Sequence, residues 1–382
     1  MADRASRILV LQGGGALGAY QAGVFEALVD EGVEPDWVAG ISIGAVNCAL
    51  VAGNEPGMRV VRLREFWELV SSTLPEPPFA AQGFQRTALN EMSATNALLF
   101  GVPGFFRPWV PPPAFQLPGT TPAISVYDTG PLQRTLERLV DFDRINAGPM
   151  RFAVGAVNVR TGDFAYFDSA RQKIDVRHVM ASGALPPGFP PVEIDGEQYW
   201  DGGLVSNTPL QYVLDEPGRG HRTVFQVDLF APHGEMPSTI GEVAEREKDI
   251  RYSSRTRLNT AIEVEWHEAG DALRRLLPRL PPKLRADPDV KRLIALTQPQ
   301  DDGLDLVHLI YRSKPYEAES KDYEFSRWTM REHWASGHAD VVQTLRDPRW
   351  TRRARGEQGV RVFDLVDPAR RRALLAASPA HS

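Results

Sequence analysis

The sequence predicts an α/β fold, a sandwich of helices around a mostly parallel central sheet. Two strand–loop–helix units occupy the first 55 residues, and units of this kind build parallel sheets whose faces are covered by helices. The first unit is an apolar run at residues 8–11, a glycine loop at 13–18 and a helical pattern over 19–31. The second is a short strand at 33–39 that ends in a serine turn.

The composition is that of a globular enzyme with a large core: 382 residues, 42% hydrophobic and 24% charged. A net charge of −6 and the lack of a basic tract argue against a nucleic-acid partner. The single cysteine, Cys48, has no partner for an intramolecular disulfide. The first apolar run is too short for a signal peptide, and no stretch reaches the roughly 20 apolar residues that span a bilayer. We therefore expect a soluble cytoplasmic protein, with peripheral membrane contact left open.

The serine turn is Gly40-Ile41-Ser42-Ile43-Gly44, followed by a run of helix-forming residues. This is the sequence form of a nucleophile elbow, in which a serine stands on a sharp strand-to-helix turn. Glycine two positions before and two after Ser42 removes the side chains that would collide at such a turn. The N-terminus of the following helix favours negative charge at the same place. We therefore predict that Ser42 is a nucleophile.

The glycine loop Gly13-Gly14-Gly15-Ala16-Leu17-Gly18 matches the G-x-G-x-x-G pattern of dinucleotide-binding folds. That fold needs an acidic residue at the end of the second strand to bind a ribose. Here the serine turn occupies that position, which argues against a nicotinamide cofactor. The other chemical interpretation is that the backbone N–H groups of Gly14 and Gly15 stabilise a developing oxyanion. A glycine turn that merely packs the strand against the helix is the alternative without chemistry.

A third block, Asp201-Gly202-Gly203, follows a predicted strand and places a carboxylate on a tight turn. An acidic side chain held in this way is a candidate general base for Ser42. A turn with no chemical role is the alternative interpretation. Two further carboxylates near strand ends, Asp128 and Asp228, are expected to be structural.

These three blocks, in this order, resemble the patatin-like phospholipases and lipid acyl hydrolases, over about residues 8–230. The resemblance implies a three-layer α/β/α sandwich and a catalytic dyad of Ser42 and Asp201 that cleaves lipid esters, phospholipid or lysophospholipid, through an acyl-enzyme. One residue departs from the pattern: many members carry Arg or Lys where this chain has Leu17, so a cationic contact to a head group is not expected from that position. The implied oxyanion hole is Gly13, Gly14, Gly15 and Gly18, and the implied elbow and base turns use Gly40, Gly44, Gly202 and Gly203.

The expected organisation is a catalytic domain at 1–235, a helical and C-terminal extension packed on it at 236–350, and a solvated basic tail at 351–382. Residues 309–334 resemble a C-terminal extension found in a bacterial subgroup of the family. Within the catalytic domain, residues 74–123 form an insertion in which proline clusters alternate with phenylalanine and tryptophan. A lid that faces the substrate and a packed structural arm are both consistent with this insertion.

Other functions are weighed against this prediction. A Ser-Asp-His triad on an α/β-hydrolase scaffold needs several strands before its elbow, whereas only 39 residues precede Gly40. The eight histidines lack a catalytic setting, no metal-ligand spacing is evident, and no cofactor is expected. Two alternatives stay open: an esterase of neutral lipids or polyesters, and a catalytically silent protein that binds a membrane, lipid-droplet or granule surface. The sequence does not predict the oligomeric state.

Overall fold

The computed structural model describes residues 6–74, 83–216, 220–297, 303–314, 316–353 and 359–365. Its strands are β1 (Ser6–Leu11), β2 (Trp37–Gly40), β3 (Arg107–Pro108), β4 (Tyr127–Asp128), β5 (Arg151–Asn158), β6 (Phe164–Asp168), β7 (Val192–Ile194), β8 (Glu197–Asp201), β9 (Arg222–Asp228), β10 (Gly303–Ile310) and β11 (Gly359–Asp364). Its α-helices are α1 (Gly18–Asp30), α2 (Ile43–Ala52), α3 (Pro56–Val70), α4 (Gly83–Phe100), α5 (Gly130–Leu139), α6 (Phe142–Ala147), α7 (Val176–Ser182), α8 (Leu210–Asp215), α9 (Ile240–Leu276), α10 (Pro282–Arg285), α11 (Pro288–Thr297), α12 (Arg327–Arg346) and α13 (Pro348–Thr351).

Nine of the described strands form one sheet in the order β11-β10-β9-β1-β2-β5-β8-β7, with β6 also paired to β5. The six strands from β11 to β5 are parallel, and β6, β7 and β8 pair in the antiparallel sense. The prediction of an α/β fold with a mostly parallel sheet is confirmed. Parallel strands end at one edge of the sheet, so β1, β2 and β9 deliver the loops that follow them to the same place.

Helices cover both faces of this sheet and make three layers. Alternate residues of β1 point to opposite faces, as expected for a strand buried on both sides. On one face, Leu9 and Leu11 pack in a large core with α1, α2, α3 and α12. On the other face, Ile8 and Val10 pack against the apolar side of α8. Helix α9 lies on this second face, in contact with α8 and β11.

The C-terminal part of the chain contributes strands to the same sheet. Strands β10 and β11 extend the central sheet beyond β9, so the C-terminal extension supplies strands as well as helices. Strand β11 lies inside the segment 351–382 that was expected to be a solvated basic tail, and that expectation is wrong for residues 359–364. The buried carboxylate of Asp305 explains the difference, because it binds the guanidinium groups of Arg353 and Arg361. Residues 354–358 and 366–382 of this segment lie outside the described residues.

Helix α12 is bound tightly to α1 of the N-terminal half. A Cβ atom at Gly23 would lie 1.9 Å from the carbonyl oxygen of Trp334, and one at Gly337 would lie 2.0 Å from that of Tyr20. The two helix backbones therefore touch, and only glycine fits at these positions. The Tyr20 hydroxyl donates a hydrogen bond of 2.7 Å to the buried carboxylate of Asp340 across the same contact. The C-terminal part of the chain is thus packed directly on the N-terminal core.

The insertion at 74–123 is partly helical. Its first proline cluster (Pro75, Pro77 and Pro78) and Phe79 lie outside the described residues. Helix α4 occupies residues 83–100, which the proline and aromatic pattern did not predict. The rest is a loop held by the short β3–β4 pair.

Candidate active site

Ser42 lies between β2 and α2, on a turn whose backbone is strained. Its φ and ψ are 55° and −123°, a region that residues with a side chain rarely occupy. A Cβ atom at Gly40 would lie 2.4 Å from the carbonyl carbon of Gly44. One at Gly44 would lie 2.4 Å from the carbonyl oxygen of Leu11. The two glycines of the predicted elbow are therefore required by backbone packing around Ser42.

The strained turn is anchored by Ser182, which the sequence analysis did not single out. The backbone N–H of Ser42 donates to both the carbonyl and the hydroxyl oxygen of Ser182, each at 3.1 Å. The Ser182 hydroxyl in turn donates to the carbonyl of Gly155 at 2.7 Å, and its side chain is fully buried. Strand β5 and helix α7 therefore hold the turn of Ser42 in position. A serine at the end of a short helix has no sequence pattern that indicates this role.

Asp201 ends β8 and faces Ser42, so the structure brings the two predicted side chains together. Its residue is 2% exposed, and burial raises the pKa of the carboxyl to about 6. Hydrogen bonding with the Ser42 hydroxyl and with the backbone N–H of Gly203 opposes this rise. The Gly203 N–H donates to Oδ1 of Asp201 at 2.7 Å. Gly202 is needed at this turn because a Cβ atom there would lie 2.7 Å from the carbonyl of Gly155.

The glycine loop lies beside Ser42, but only two of its four glycines have a backbone N–H with no acceptor among the described residues. Among the described residues, none accepts a hydrogen bond from the N–H of Gly14 or Gly15, and both residues line the same cavity as Ser42. The N–H of Gly13 donates to the carbonyl of Asn207 at 3.1 Å. The N–H of Gly18 is bonded within its own turn. The structure therefore does not support Gly13 and Gly18 as oxyanion donors.

Gly13 and Gly18 have packing roles instead. Gly18 is where α1 meets α2 and α3, since a Cβ atom there would lie 2.6 Å from Ile43 and 2.9 Å from Trp67. Gly13 is clamped by Asn207, whose Nδ2 donates to the Gly13 carbonyl at 2.9 Å. Asn207 thus fixes the glycine loop against the turn of Asp201. Its place six residues after Asp201 was visible in the sequence, but only the fold shows what its amide contacts.

A cavity of about 300 Å³ opens at Ser42 and Asp201, and its wall is mainly apolar. Phe105 and Phe106 of the insertion line it together with Phe189 and Phe325. The rings of these residues pack edge-on or tilted, with centroids 5.2 to 6.5 Å apart. Both insertion aromatics are buried, so this part of the insertion is a packed arm that also faces the cavity.

The C-terminal extension completes the cavity wall with Tyr252, Asp322, Tyr323 and Phe325. It also touches the glycine loop. A Cβ atom at Gly15 would lie 2.0 Å from the carbonyl oxygen of Asp322, and Gly15 has a φ of +55°. Both observations require glycine at this position. The loop that carries the candidate oxyanion donors is therefore packed against a turn from the far end of the chain.

A buried ion cluster fixes that turn. The ammonium group of Lys321 donates to Asp249 at 2.7 Å, to Glu245 at 2.9 Å and to the Ser313 hydroxyl at 2.7 Å. Burial alone would lower the pKa of Lys321, but the two carboxylates more than offset this effect and raise it. Breaking a buried pair of this kind is costly because it leaves an uncompensated charge. The cluster therefore ties α9 to the turn that contacts Gly15.

The other candidate groups lie away from this cavity. Asp128 forms an ion pair with Arg107 at 2.8 Å and accepts a hydrogen bond from the N–H of Gly130, so its role is structural. Burial raises the pKa of Asp228 to about 7, and this carboxyl does not line the cavity. Among the described residues, no histidine lines the cavity and no group of acidic, histidine or cysteine side chains has the arrangement of a metal site. Within the same residues, no helix combines the length and apolar character needed to cross a membrane.

Sequence comparison decides the family. A family model described as Patatin-like phospholipase matches residues 9–214, more than half of the chain, including all three blocks of the site. The chain belongs to the patatin-like phospholipase family. A second model, described as Patatin phospholipase, matches residues 250–357, so the extension of this patatin-like chain is itself a recognised unit.

The curated relatives of this patatin-like chain are fungal proteins named lysophospholipase NTE1. That of Candida glabrata is 25% identical over 241 residues, which cover 61% of this chain and 11% of the relative. That of Aspergillus terreus is 26% identical over 236 residues, covering 61% and 12%. The chain thus spans about a tenth of the length of the curated relatives that it matches.

Solved structures of two bacterial proteins are similar to this patatin-like fold at a low level. VipD from Legionella pneumophila gives a TM-score of 0.33 at 14% identity, covering 87% of this chain and 68% of that one. ExoU from the type III secretion system of Pseudomonas aeruginosa, in complex with SpcU, gives 0.30 at 12% identity, covering 88% and 71%.

Proposed function

We propose that this protein is a serine acyl hydrolase that cleaves carboxylic esters of lipids, with Ser42 as nucleophile and Asp201 as base. The observation that carries the proposal is the buried carboxylate of Asp201, hydrogen-bonded with the hydroxyl of Ser42 in an apolar cavity. Membership of the patatin-like phospholipase family supports the same chemistry.

The proposed reaction has two halves. Ser42 Oγ attacks the ester carbonyl carbon while its proton moves to the Asp201 carboxylate, and the N–H groups of Gly14 and Gly15 stabilise the negative oxygen. The bond to the alcohol oxygen then breaks, and the alcohol leaves with the proton from Asp201. Water attacks the acyl group on Ser42 and gives its proton to Asp201. The carboxylic acid departs as Asp201 returns the proton to Ser42.

The carboxylate of Asp201 is a stronger base than an ordinary aspartate because burial raises its pKa to about 6. At neutral pH such a group is still mostly ionised, so it is ready to accept a proton. The protein thus needs no imidazole between the nucleophile and the carboxylate. The facing positions of Ser42 and Asp201 also favour an active enzyme over a silent lipid-binding protein.

The cavity supports a lipid acyl chain as the group that Ser42 attacks. Its phenylalanine-rich wall suits a hydrocarbon chain, which gains about 0.8 kcal/mol per buried CH₂. The name of the fungal relatives makes a lysophospholipid the first substrate to test. Peripheral association with a membrane or a lipid-droplet surface is part of this proposal, because lipid esters are found in such surfaces.

A specific observation favours a second substrate class, the neutral esters. No lysine or arginine is among the described residues that line the cavity, and Leu17 replaces the cation common in the family. A phosphate group therefore finds no cationic side chain in the cavity wall. A lysophospholipid would have to leave its head group outside, whereas a monoacylglycerol or a short polyester has no charge to place.

The test compares wild type with Ser42→Ala and Asp201→Asn on a soluble p-nitrophenyl ester, on lysophosphatidylcholine and on monoacylglycerol. Both variants should lower kcat by at least about 1,000-fold on every substrate, while far-UV circular dichroism stays unchanged. Ser206→Ala is the matched control, since Ser206 lies on the Asp201 loop but does not line the cavity, and it should retain activity. Wild-type turnover by Ser42→Ala would remove the proposal. The ratio of rates on the two lipids decides between the substrate classes.

A further inference from the structure

We infer that the cavity mouth docks on a lipid surface through a defined apolar face of the insertion. The face consists of the end of α4 and the loop that follows β3, and we call it the docking face. Its members are large apolar side chains directed to solvent: Leu99, Phe100, Val110, Phe115, Leu117 and Ile124. The inference rests on the proposed function in one respect: a lipid substrate would enter the cavity from the layer on which this face docks.

Four of these side chains are largely exposed. Val110 is 90% exposed, Phe115 79%, Leu117 76% and Phe100 72%. Scattered single apolar residues are normal on a protein surface, but six large exposed apolar side chains within residues 99–124 indicate an interaction site. The same insertion buries Phe105 and Phe106, so its apolar residues are divided between the cavity wall and the solvent.

Hydrogen bonds join the docking face to the edge of the cavity. The hydroxyl of Tyr127 donates to the carbonyl of Leu98 at 2.8 Å, and both residues line the cavity. The N–H of Trp109 donates to the carbonyl of Val126 at 3.2 Å, which closes the base of the loop. The N–H of Val126 donates to the carbonyl of Pro187, another lining residue, at 3.0 Å. Whatever the face contacts therefore lies next to the cavity mouth.

The charge of this segment indicates what the partner is. Between Met92 and Tyr127 the sequence contains one charged residue, Arg107, whereas 24% of the whole chain is charged. Arg107 is already paired with Asp128 at 2.8 Å. Protein interfaces have polar and charged rims, and binding to anionic lipids uses clusters of lysine and arginine. An uncharged apolar face beside a lipid-ester cavity fits the surface of a neutral or zwitterionic lipid layer.

Proline restricts the backbone of the loop part of this face. Pro111, Pro112 and Pro113 follow Val110 directly, and the Gln116 amide donates to the carbonyl of Pro111 at 2.6 Å. A preformed loop loses little conformational entropy when its side chains enter a lipid layer. The exposed phenylalanines are thus presented to the layer without prior folding of the loop.

The experiment is co-sedimentation of the Ser42→Ala protein with phosphatidylcholine vesicles, so that binding is measured without hydrolysis. Adding Phe100→Ser, Phe115→Ser and Leu117→Ser should weaken binding at least about tenfold, because each substitution removes an apolar side chain from the lipid contact. Binding of the parent should not weaken when salt is raised. In an active background, the triple variant should hydrolyse a monomeric p-nitrophenyl ester at the wild-type rate, since none of these residues lines the cavity.

A matched control removes three exposed leucines elsewhere, Leu284, Leu293 and Leu296, which are 50%, 48% and 58% exposed. This control should bind vesicles like the parent. Equal binding by the docking-face variant, equal loss in the control, or loss of binding at high salt would each overturn the inference. A docking-face variant that becomes monomeric from a wild-type dimer while still binding vesicles would also overturn it, because the face would then contact a second copy. Vesicle binding by a protein that hydrolyses no ester would refute the proposed function and leave the docking face intact.

Discussion

The burial of Asp201 sets the pH dependence expected of the proposed reaction. Burial raises the pKa of this carboxyl to about 6, whereas an ordinary aspartate titrates near its reference value of 3.8. If Asp201 is the base, kcat/KM follows the ionised fraction of this group. That fraction is about one half at pH 6, about one tenth at pH 5 and about one hundredth at pH 4. An unperturbed aspartate would still leave about nine tenths of the activity at pH 5.

The assay is kcat/KM on a soluble p-nitrophenyl ester between about pH 4 and pH 8. The product is read at its isosbestic wavelength, because the phenol itself titrates in this range. The expected profile has one acidic limb with its midpoint near the pKa of Asp201. Asp201→Asn should abolish ester hydrolysis over the whole pH range.

Asp228 provides the control, because it is a second buried carboxyl with a raised pKa that does not line the cavity. Asp228→Asn should keep the acidic limb of kcat/KM where it is. Circular dichroism across the same pH range checks that the limb is not unfolding. A midpoint at or below about pH 4, or a limb that moves with Asp228, would refute the assignment of Asp201 as a base made stronger by burial.

Three further predictions concern two backbone contacts and one buried carboxyl group. Gly15→Ala should lower kcat/KM about 100-fold, because the new Cβ would lie 2.0 Å from the Asp322 carbonyl oxygen and would displace the Gly14 and Gly15 donors. Gly32 also has a positive φ, +71°, but has open space around it. Gly32→Ala is therefore the control, which should lower stability and leave kcat/KM unchanged. Gly23→Ala should lower the free energy of unfolding by about 2–3 kcal/mol in urea titrations, whereas Gly57→Ala, with nothing within 4 Å, should leave it unchanged or slightly higher. The folded-state pKa of Asp228 is raised to about 7, so the carboxyl destabilises the fold increasingly as pH rises to that value. Asp228→Asn should therefore gain about 2–3 kcal/mol more relative to wild type at pH 8 than at pH 5, and an equal gain at both would contradict it.

The sequence was sufficient wherever the requirement is local. The elbow around Ser42 could be predicted because Gly40 contacts the backbone of Gly44, only four residues away. Gly44 itself contacts the Leu11 carbonyl on the neighbouring strand. The alternating strand and helix patterns of the first 55 residues likewise predicted the parallel sheet. The tight turn at Asp201 could also be predicted, because the two glycines that form it follow Asp201 directly in the sequence.

What the sequence did not reveal depends on residues far apart in the chain. Arg353 and Arg361 lie in an arginine-rich segment that is typical of a solvated tail, yet both bind the buried carboxylate of Asp305. Only the fold brings these three residues together. The contact of Asp322 with Gly15 is of the same kind, since neither local pattern specifies the other. For Gly13 and Gly18 the sequence predicted a role that the structure does not support. The loop pattern gave no reason to separate these glycines from Gly14 and Gly15, but Gly13 is bonded to Asn207 and Gly18 is needed for helix packing.

Covalent labelling of Ser42 tests the central claim most directly. Wild-type protein treated with a fluorophosphonate probe and digested should carry one adduct, on the peptide that contains Ser42, and ester hydrolysis should fall in proportion to labelling. Asp201→Asn should slow the labelling, because the proton of Ser42 then has no acceptor. Ester hydrolysis that continues in fully labelled protein, or an adduct on a different serine that tracks the loss of activity, would contradict the account.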